Sequence, residues 1–521
     1  MKDKGAVLPM TAIVLTLLMG MAAFATDLGW WYLNTIRIQR SADAASLAGV
    51  IHMPGFFNTA EAVAWDLASR NGYTNGFDGV VVTPAAVAGE PHQLRVTISD
   101  EVESFFMKVF GFDTVTITKE SVAEYVLPLP LGSPENEFGT GGAQDYWAAI
   151  QGEWTEKEDG DPFATRCVIS LDDNSCGSGG TSNEGATGQY RPAGYYYGVE
   201  IPIGSGITAF EVQIYDAGFY RRANSSTETG DIKCGSQQSG CNSSPDPFGS
   251  PGPDTTFTQR DTDATPFDHR DNPTASCSQT NPLTLAPEDT SPNTKNLWRT
   301  LCSFSVTGPT DFGVYPLQVQ TNNGNGLNMY GLRACSPSCG AVSGTQPRVY
   351  GISDISIWAN SNSSSPEFFL AEVEDVHAGK ALVLELFDPG DAAPNVANSM
   401  SLIGPDDTVW PNCSYTVTSW KDGSTEESGT RSPPGGCTID TTRTTNQCGQ
   451  ISSPAGCKYN GDWLTITLTL PNTYTCDPTA LPSTPNDCWW KIRYSYGGAV
   501  YDRTTWAAKI IGNPVHLVFG G

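Results

Sequence analysis

The first 166 residues contain no cysteine, and the 521-residue chain has only five histidines, His52, His92, His269, His377 and His516, scattered singly. No G-x-S-x-G, H-E-x-x-H, phosphate-binding loop or dinucleotide fingerprint occurs. Asp268 and His269 are adjacent, but no serine can be assigned to them. The chain is therefore expected not to be an enzyme. Charged residues are scarce, at 16%, and basic ones scarcer: 29 Lys and Arg against 56 Asp and Glu. A net charge of -27 repels polyphosphate, which excludes nucleic acid as a partner. Residues 1–128 hold 8 basic and 13 acidic residues, so most of the surplus lies beyond them.

What is abundant is Gly (54), Pro (36) and large aromatics, a mix that suits strands joined by many turns. All 14 cysteines lie between Cys167 and Cys488, in loops rich in Ser, Gly, Asn and Pro. An even number in such loops reads as disulfides formed in an oxidising space, with the connectivity left open. Only Cys335-Ser-Pro-Ser-Cys339 looks like half a zinc knuckle, and no histidine cluster completes it.

Ala6 to Thr26 carries no charge. About 20 helical residues span a hydrocarbon core. Lys2 and Lys4 precede the run, which puts the N-terminus on the cytoplasmic side of a membrane and everything downstream outside it. Trp30, Trp31 and Tyr32 suit the outer membrane–water boundary. Ala22-Ala23-Phe24 and Ala23-Phe24-Ala25 offer cleavage sites for a secretory signal. The run is long for such a signal and helical character continues beyond it, so a retained anchor is expected.

Three stretches then carry a resemblance. They are Lys4-Gly5-Ala6-Val7 leading into the apolar helix, Ala25-Thr26-Asp27-Leu28-Gly29, and Ile38-Gln39-Arg40-Ser41-Ala42-Asp43-Ala44-Ala45-Ser46-Leu47-Ala48-Gly49. Together they resemble the N-terminal region of TadG-like proteins, closely over about 50 residues and more loosely to about residue 125. The resemblance implies association with a Tad-type (Flp) pilus-assembly or secretion apparatus. Two departures stand out. Pilin-like relatives carry Gly followed five residues later by Glu, whereas Gly5 is followed by Met10. Some relatives carry an Asp-x-Ser-x-Ser metal site, whereas Asp354-Ile-Ser-Ile-Trp358 lacks the second Ser. Independently of family, the small residues Ala42, Ala44, Ala45, Ala48 and Gly49 let another helix approach closely. With Asp27, Gly29 and Asp43 they form the candidate partner contact.

Residues 1–56 thus read as anchor and Ala-rich juxtamembrane helix, and 57–128 as a small α+β domain. In the latter, helices are expected at Thr59–Asn71 and Glu101–Phe110, and strands at 79–83, 93–98 and 114–125. Phe105, Phe106, Val109 and Phe110 are assigned to its core. Residues 129–140, rich in Pro and Leu, read as a linker.

Beyond the linker, Tyr197–Ile201 and Ala209–Gly218 align without gaps on Phe369–Val373 and Ala381–Gly390, at a constant offset of 172. Glu200/Glu372, Ala209/Ala381, Asp216/Asp388 and Gly218/Gly390 are identical. Apolar alternation is kept at Val212/Leu384, Ile214/Leu386 and Tyr215/Phe387, as strands with one buried face require. The fold class expected is a single transmembrane helix, a small α+β domain, and two tandem, disulfide-bearing, jelly-roll-like β-sandwiches at 141–345 and 346–521. Asp216, Asp388 and Asp391 are candidate ligands of Ca2+, a hard cation that takes oxygen donors. Tyr195, Tyr196, Tyr197, Trp489, Trp490 and Trp506 are candidates for binding sugar or protein where exposed, with core packing the expected fate of most of them. At least one of Trp489 and Trp490 should face solvent or another domain, because alternate strand residues point to opposite sides. The function expected is that of a membrane-anchored surface protein working with other pilus or secretion components. The rival is an adhesin binding a surface glycan or protein through the same anchor.

Overall fold

The computed structural model describes residues 7–518 with interruptions. The interruptions are residues 54–55, 89, 142–143, 156, 158–159, 168–182, 185–187, 217–218, 221–230, 234–252, 264–267, 286–296, 309–310, 323, 325, 390–397, 420–422, 442–458, 460, 483, 499 and 513–514. Two compact units result. One is Met1–Leu127 with Ala264–Asp268 and Asn513–Gly521; the other is Pro128–Asp263 with His269–Gly512.

The first unit begins with α1, Val7–Val50, 44 residues in one uninterrupted helix. At 1.5 Å per residue it is about 66 Å long, roughly twice a hydrocarbon core. Its first half is bare, with Leu8, Met10, Ile13, Leu17 and Met21 all more than half exposed. From Asp27 onward a stripe at helical spacing is buried, through Asn34, Ile38, Ala42, Ala45 and Gly49. A second helix, α2 (Phe57–Arg70), buries Ala60, Ala64 and Ala68. Strands β1 (Val81–Val87), β2 (Glu90–Glu103) and β3 (Thr114–Tyr125) form an antiparallel sheet, and Val515–Val518 adds a fourth strand beside β3. Leu94, Val96, Ile98 and Ala123 share one core with the buried stripes of both helices.

The helix expected over 101–110 does not form. β2 runs on to Glu103, which pairs with Thr114, and only Met107–Phe110 makes a 3-10 turn, closed by Gly111 at φ 88°. Phe105, Phe106, Val109 and Phe110 are consequently not core: they are 48, 47, 83 and 75% exposed. Paired strands take up the backbone donors as far as Glu103, and the residues after it form the hairpin loop.

Among the described residues the second unit is a sandwich of two sheets of ten and fourteen strands, antiparallel but for one short pair, and each sheet draws strands from both sequence repeats. The repeat strands Tyr195–Ile201 and Glu367–Glu372 lie in the ten-stranded sheet; Ala209–Asp216 and Ala381–Phe387 lie in the other. The strand order is palindromic about a central seam. In the ten-stranded sheet the seam is Pro130–Leu131 against Arg348–Ile352, and each pairs with the repeat strand of the opposite half. In the other sheet Tyr146–Gln151 pairs with Asp354–Ser361. One apolar cluster runs between the sheets from Leu129 to Ala508, so the halves share a core. Leu129 and Leu131, within the expected linker, belong to it. The second sandwich expected over 346–521 does not keep its end: Val500–Ile511 stays there, and Val515–Val518 joins the first unit.

Disulfides join Cys277–Cys302, Cys335–Cys339, Cys413–Cys437 and Cys476–Cys488, and no free cysteine occurs among the described residues. The knuckle-like pair at 335 and 339 is therefore a bridge. Cys413 opens a strand of the larger sheet, while Cys437 precedes the strand Thr438–Asp440 of the smaller one, so this bond staples the two sheets. Closing a loop of sequence separation 24 constrains the unfolded chain by about 3 kcal/mol. Replacing both cysteines with Ala should lower the unfolding free energy by that amount in non-reducing urea titrations; an unchanged midpoint would contradict the staple.

Candidate functional site

The described residues hold no group of three or more His, Cys, Asp or Glu able to grip a metal. Asp388 sits at φ 51°, buried, with Oδ1 accepting the Gly461 N–H at 2.7 Å. Asp216 ends the equivalent strand, but its side chain and the whole of Asp391 lie outside the described residues. The Ca2+ expectation on these three carboxylates thus falls mostly outside the described residues.

All six candidate aromatics are in the core, as expected for most of them, and so is the one of Trp489 and Trp490 expected to face outward. Tyr195, Tyr197, Trp490 and Trp506 have no exposure, and Tyr196 and Trp489 almost none. Trp490 packs on Trp410, with centroids 4.6 Å apart, and Trp489 meets Phe369 edge-on at 5.6 Å. Alternation holds, but both faces of that strand are covered, so neither indole reaches solvent.

The junction at Asp27 has more to offer. Its carboxylate is fully buried and accepts three backbone N–H groups, from Phe105 at 2.8 Å, Phe106 at 2.9 Å and Met107 at 2.6 Å. These are the donors that a short helical turn leaves unmet at its start. Burial alone would raise the carboxyl pKa; the N–H groups of Met107, Phe105 and Phe106 and the charge of Lys108 outweigh it and hold it below the ordinary 3.8. A lowered value means the contact is complete above that pH and is lost only as acid titrates the carboxylate below it. Trp30 adds a ring contact to Phe105 at 5.4 Å, and the Arg37 guanidinium lies 5.8 Å over Trp30. Trp30 and Trp31, expected in the membrane boundary, thus lean on the folded unit, while Tyr32 stays exposed. Asp27→Asn places an amide N–H against those donors. Hydrogen exchange of Phe105, Phe106 and Met107 should accelerate while residues 94–98 stay protected; equal protection in both proteins would refute the clamp.

Further along α1, Gln39 Nε2 donates to the Glu120 carbonyl at 3.1 Å and Ser46 Oγ to Ser121 Oγ at 3.0 Å. At Gly49 a Cβ would stand 2.7 Å from the Ala60 carbonyl and 2.5 Å from Leu94 Cδ2. The close approach expected of the small residues is made there by α2 of the same chain. Ala42 and Ala45 are buried in the same core. Asp43, Ala44 and Ala48 are half-buried, and a Cβ on Gly29 would meet open space. Asp43 accepts a hydrogen bond from Gln39 at 2.8 Å. The arrangement makes the apolar half of α1 and the packed half one rod, so that position and rotation pass from one to the other.

A second constellation lies on the seam. The repeat-equivalent Glu200 and Glu372 converge on Arg348, which pairs with Glu372 and stands 3.7 Å from Glu200. Burial disfavours the guanidinium charge, but Glu200 and Glu372 outweigh it and raise its pKa above the ordinary value. The repeat alignment marked both glutamates; nothing in it marked the arginine that they share.

Residues 5–62 match the family model described as "Putative Flp pilus-assembly TadE/G-like". That segment covers α1 and the first residues of α2. No curated protein and no solved structure matches the chain.

Proposed function

We propose, from the TadE/G-like segment at residues 5–62, that the chain is a non-enzymatic envelope protein of a Tad-type pilus or secretion apparatus. In this reading residues 8–26 cross the cytoplasmic membrane with the N-terminus inside, and the acidic, disulfide-bearing sandwich stands outside. The observation that carries it is the change in α1 at Asp27. The helix is long and apolar enough to cross a membrane, with a mean hydropathy of 2.0 over a window none of which is buried. Beyond Asp27 the same helix is core. The cleavage sites at Ala22–Ala25 fall inside that continuous helix, where a signal peptidase meets no extended backbone. The partners are other components of the apparatus, met through the membrane segment or the exposed faces of the first unit.

Deleting residues 1–50 would destroy the core of the first unit as well as the anchor. The better test exchanges residues 1–26 for a cleavable secretion signal and keeps Asp27–Val50. The protein should then be exported, oxidised and soluble, and piliation should fail. Normal piliation with released protein would overturn the assembly role. Reduced cysteines in the native protein would overturn the orientation.

A further inference from the structure

We propose that the hairpin loop between β2 and β3, Ser104–Phe112, inserts into the lipid bilayer beside the point where α1 emerges from it. This rests on the reading that residues 8–26 span the membrane. The nine residues are Ser-Phe-Phe-Met-Lys-Val-Phe-Gly-Phe, with Lys108 the one charge among them. Hairpin loops facing water are built from polar turn residues. Here Phe105, Phe106, Val109, Phe110 and Phe112 are 48, 47, 83, 75 and 54% exposed, a contiguous apolar surface of the kind that marks a buried-on-binding face.

Two features choose lipid as the occupant. First, the loop is clamped in place. Three backbone N–H groups at its start are held by Asp27, the residue at which α1 passes from bare to packed. The exposed phenylalanines are therefore fixed at the level where Phe24 and Leu28 of α1, 48 and 45% exposed, leave the span. A surface at that level meets acyl chains and headgroups before it meets any soluble partner. Second, the composition suits an interface: aromatic rings favour the membrane boundary, and the long stem of Lys108 lets its ammonium reach lipid phosphates while its neighbours are immersed. α1 then crosses the bilayer while the loop holds the first unit down against it, fixing tilt and rotation at two points.

The test uses photo-crosslinking of the full chain in vesicles of phosphatidylethanolamine and phosphatidylglycerol. p-Benzoylphenylalanine is placed singly at Val109, Phe110, Leu15 within the span, and Ala88 in the exposed turn at the opposite end of β2. Amide protection of residues 94–98 verifies the fold of each variant. Lipid adducts at 109 and 110, comparable to those at 15 and lacking at 88, are expected. Lipid at 15 with none at 109 and 110 overturns the insertion and leaves the span standing; lipid at none of the three overturns both. Adducts at 109 and 110 to a second copy of the chain, in place of lipid, identify the loop as a protein contact and overturn the proposal.

Discussion

Arg348→Ala is expected to cost the sandwich about 3–5 kcal/mol, the usual penalty for removing one partner of a buried ion pair. Glu372 is only 3% exposed in its side chain, whereas Arg348 at 26% and Glu200 at 28% are half-buried, so deleting the guanidinium leaves the Glu372 carboxylate buried without compensation. The loss falls where the halves meet, because Arg348 opens the strand that pairs with Tyr195–Ile201 of the first repeat. Urea unfolding of the full chain, followed by tryptophan fluorescence, reads it directly. Pairing Arg348→Met with Glu372→Leu should recover most of the loss, since apolar groups of similar volume replace buried pairs at little cost. A single-variant loss below about 1 kcal/mol would show that water reaches the cluster.

Trp506→Ala should be as damaging, by about 3–5 kcal/mol for a large aromatic removed from a core. The indole is fully buried, between Tyr146 of the first half and Phe368 of the second, at centroid distances of 6.4 and 5.9 Å. Its strand neighbours are Ile355 and Leu386. Phe at this position should restore much of the stability. A surface tryptophan that binds sugar would behave differently, losing ligand while the melting temperature held. The same pair of measurements therefore separates a structural from a recognition role for the residue.

The parts of this fold that depend on near neighbours are readable in the chain. An uncharged run followed by small residues at helical spacing yields α1. Preserved alternation at an offset of 172 finds both pairs of repeat strands, because a strand with one buried face repeats its apolar positions whatever its loops do. Distant partners decide the rest. Pro130–Leu131 is too short to show a period, and its proline-rich surroundings resemble a spacer, yet it pairs with residues near 351. Residues 101–110 fit a helical spacing as well as a strand-and-loop. Pairing to Thr114 and a carboxylate 78 positions away settle the choice, and neither is visible in a local window. The indole expected to face outward at Trp489 or Trp490 is covered for a related reason: alternation tells which way a ring points, not whether another element covers that side.

Val515–Val518 pairs antiparallel with Val122–Tyr125, and His516 lies 3.2 Å from Glu124. The sandwich is thus an insertion, covalently tied to the first unit at both of its ends. A protease that cuts near Pro128 leaves it moored through the other strand. Separating the two takes a second cut, or the unzipping of four paired residues after the first, so a nicked molecule holds together.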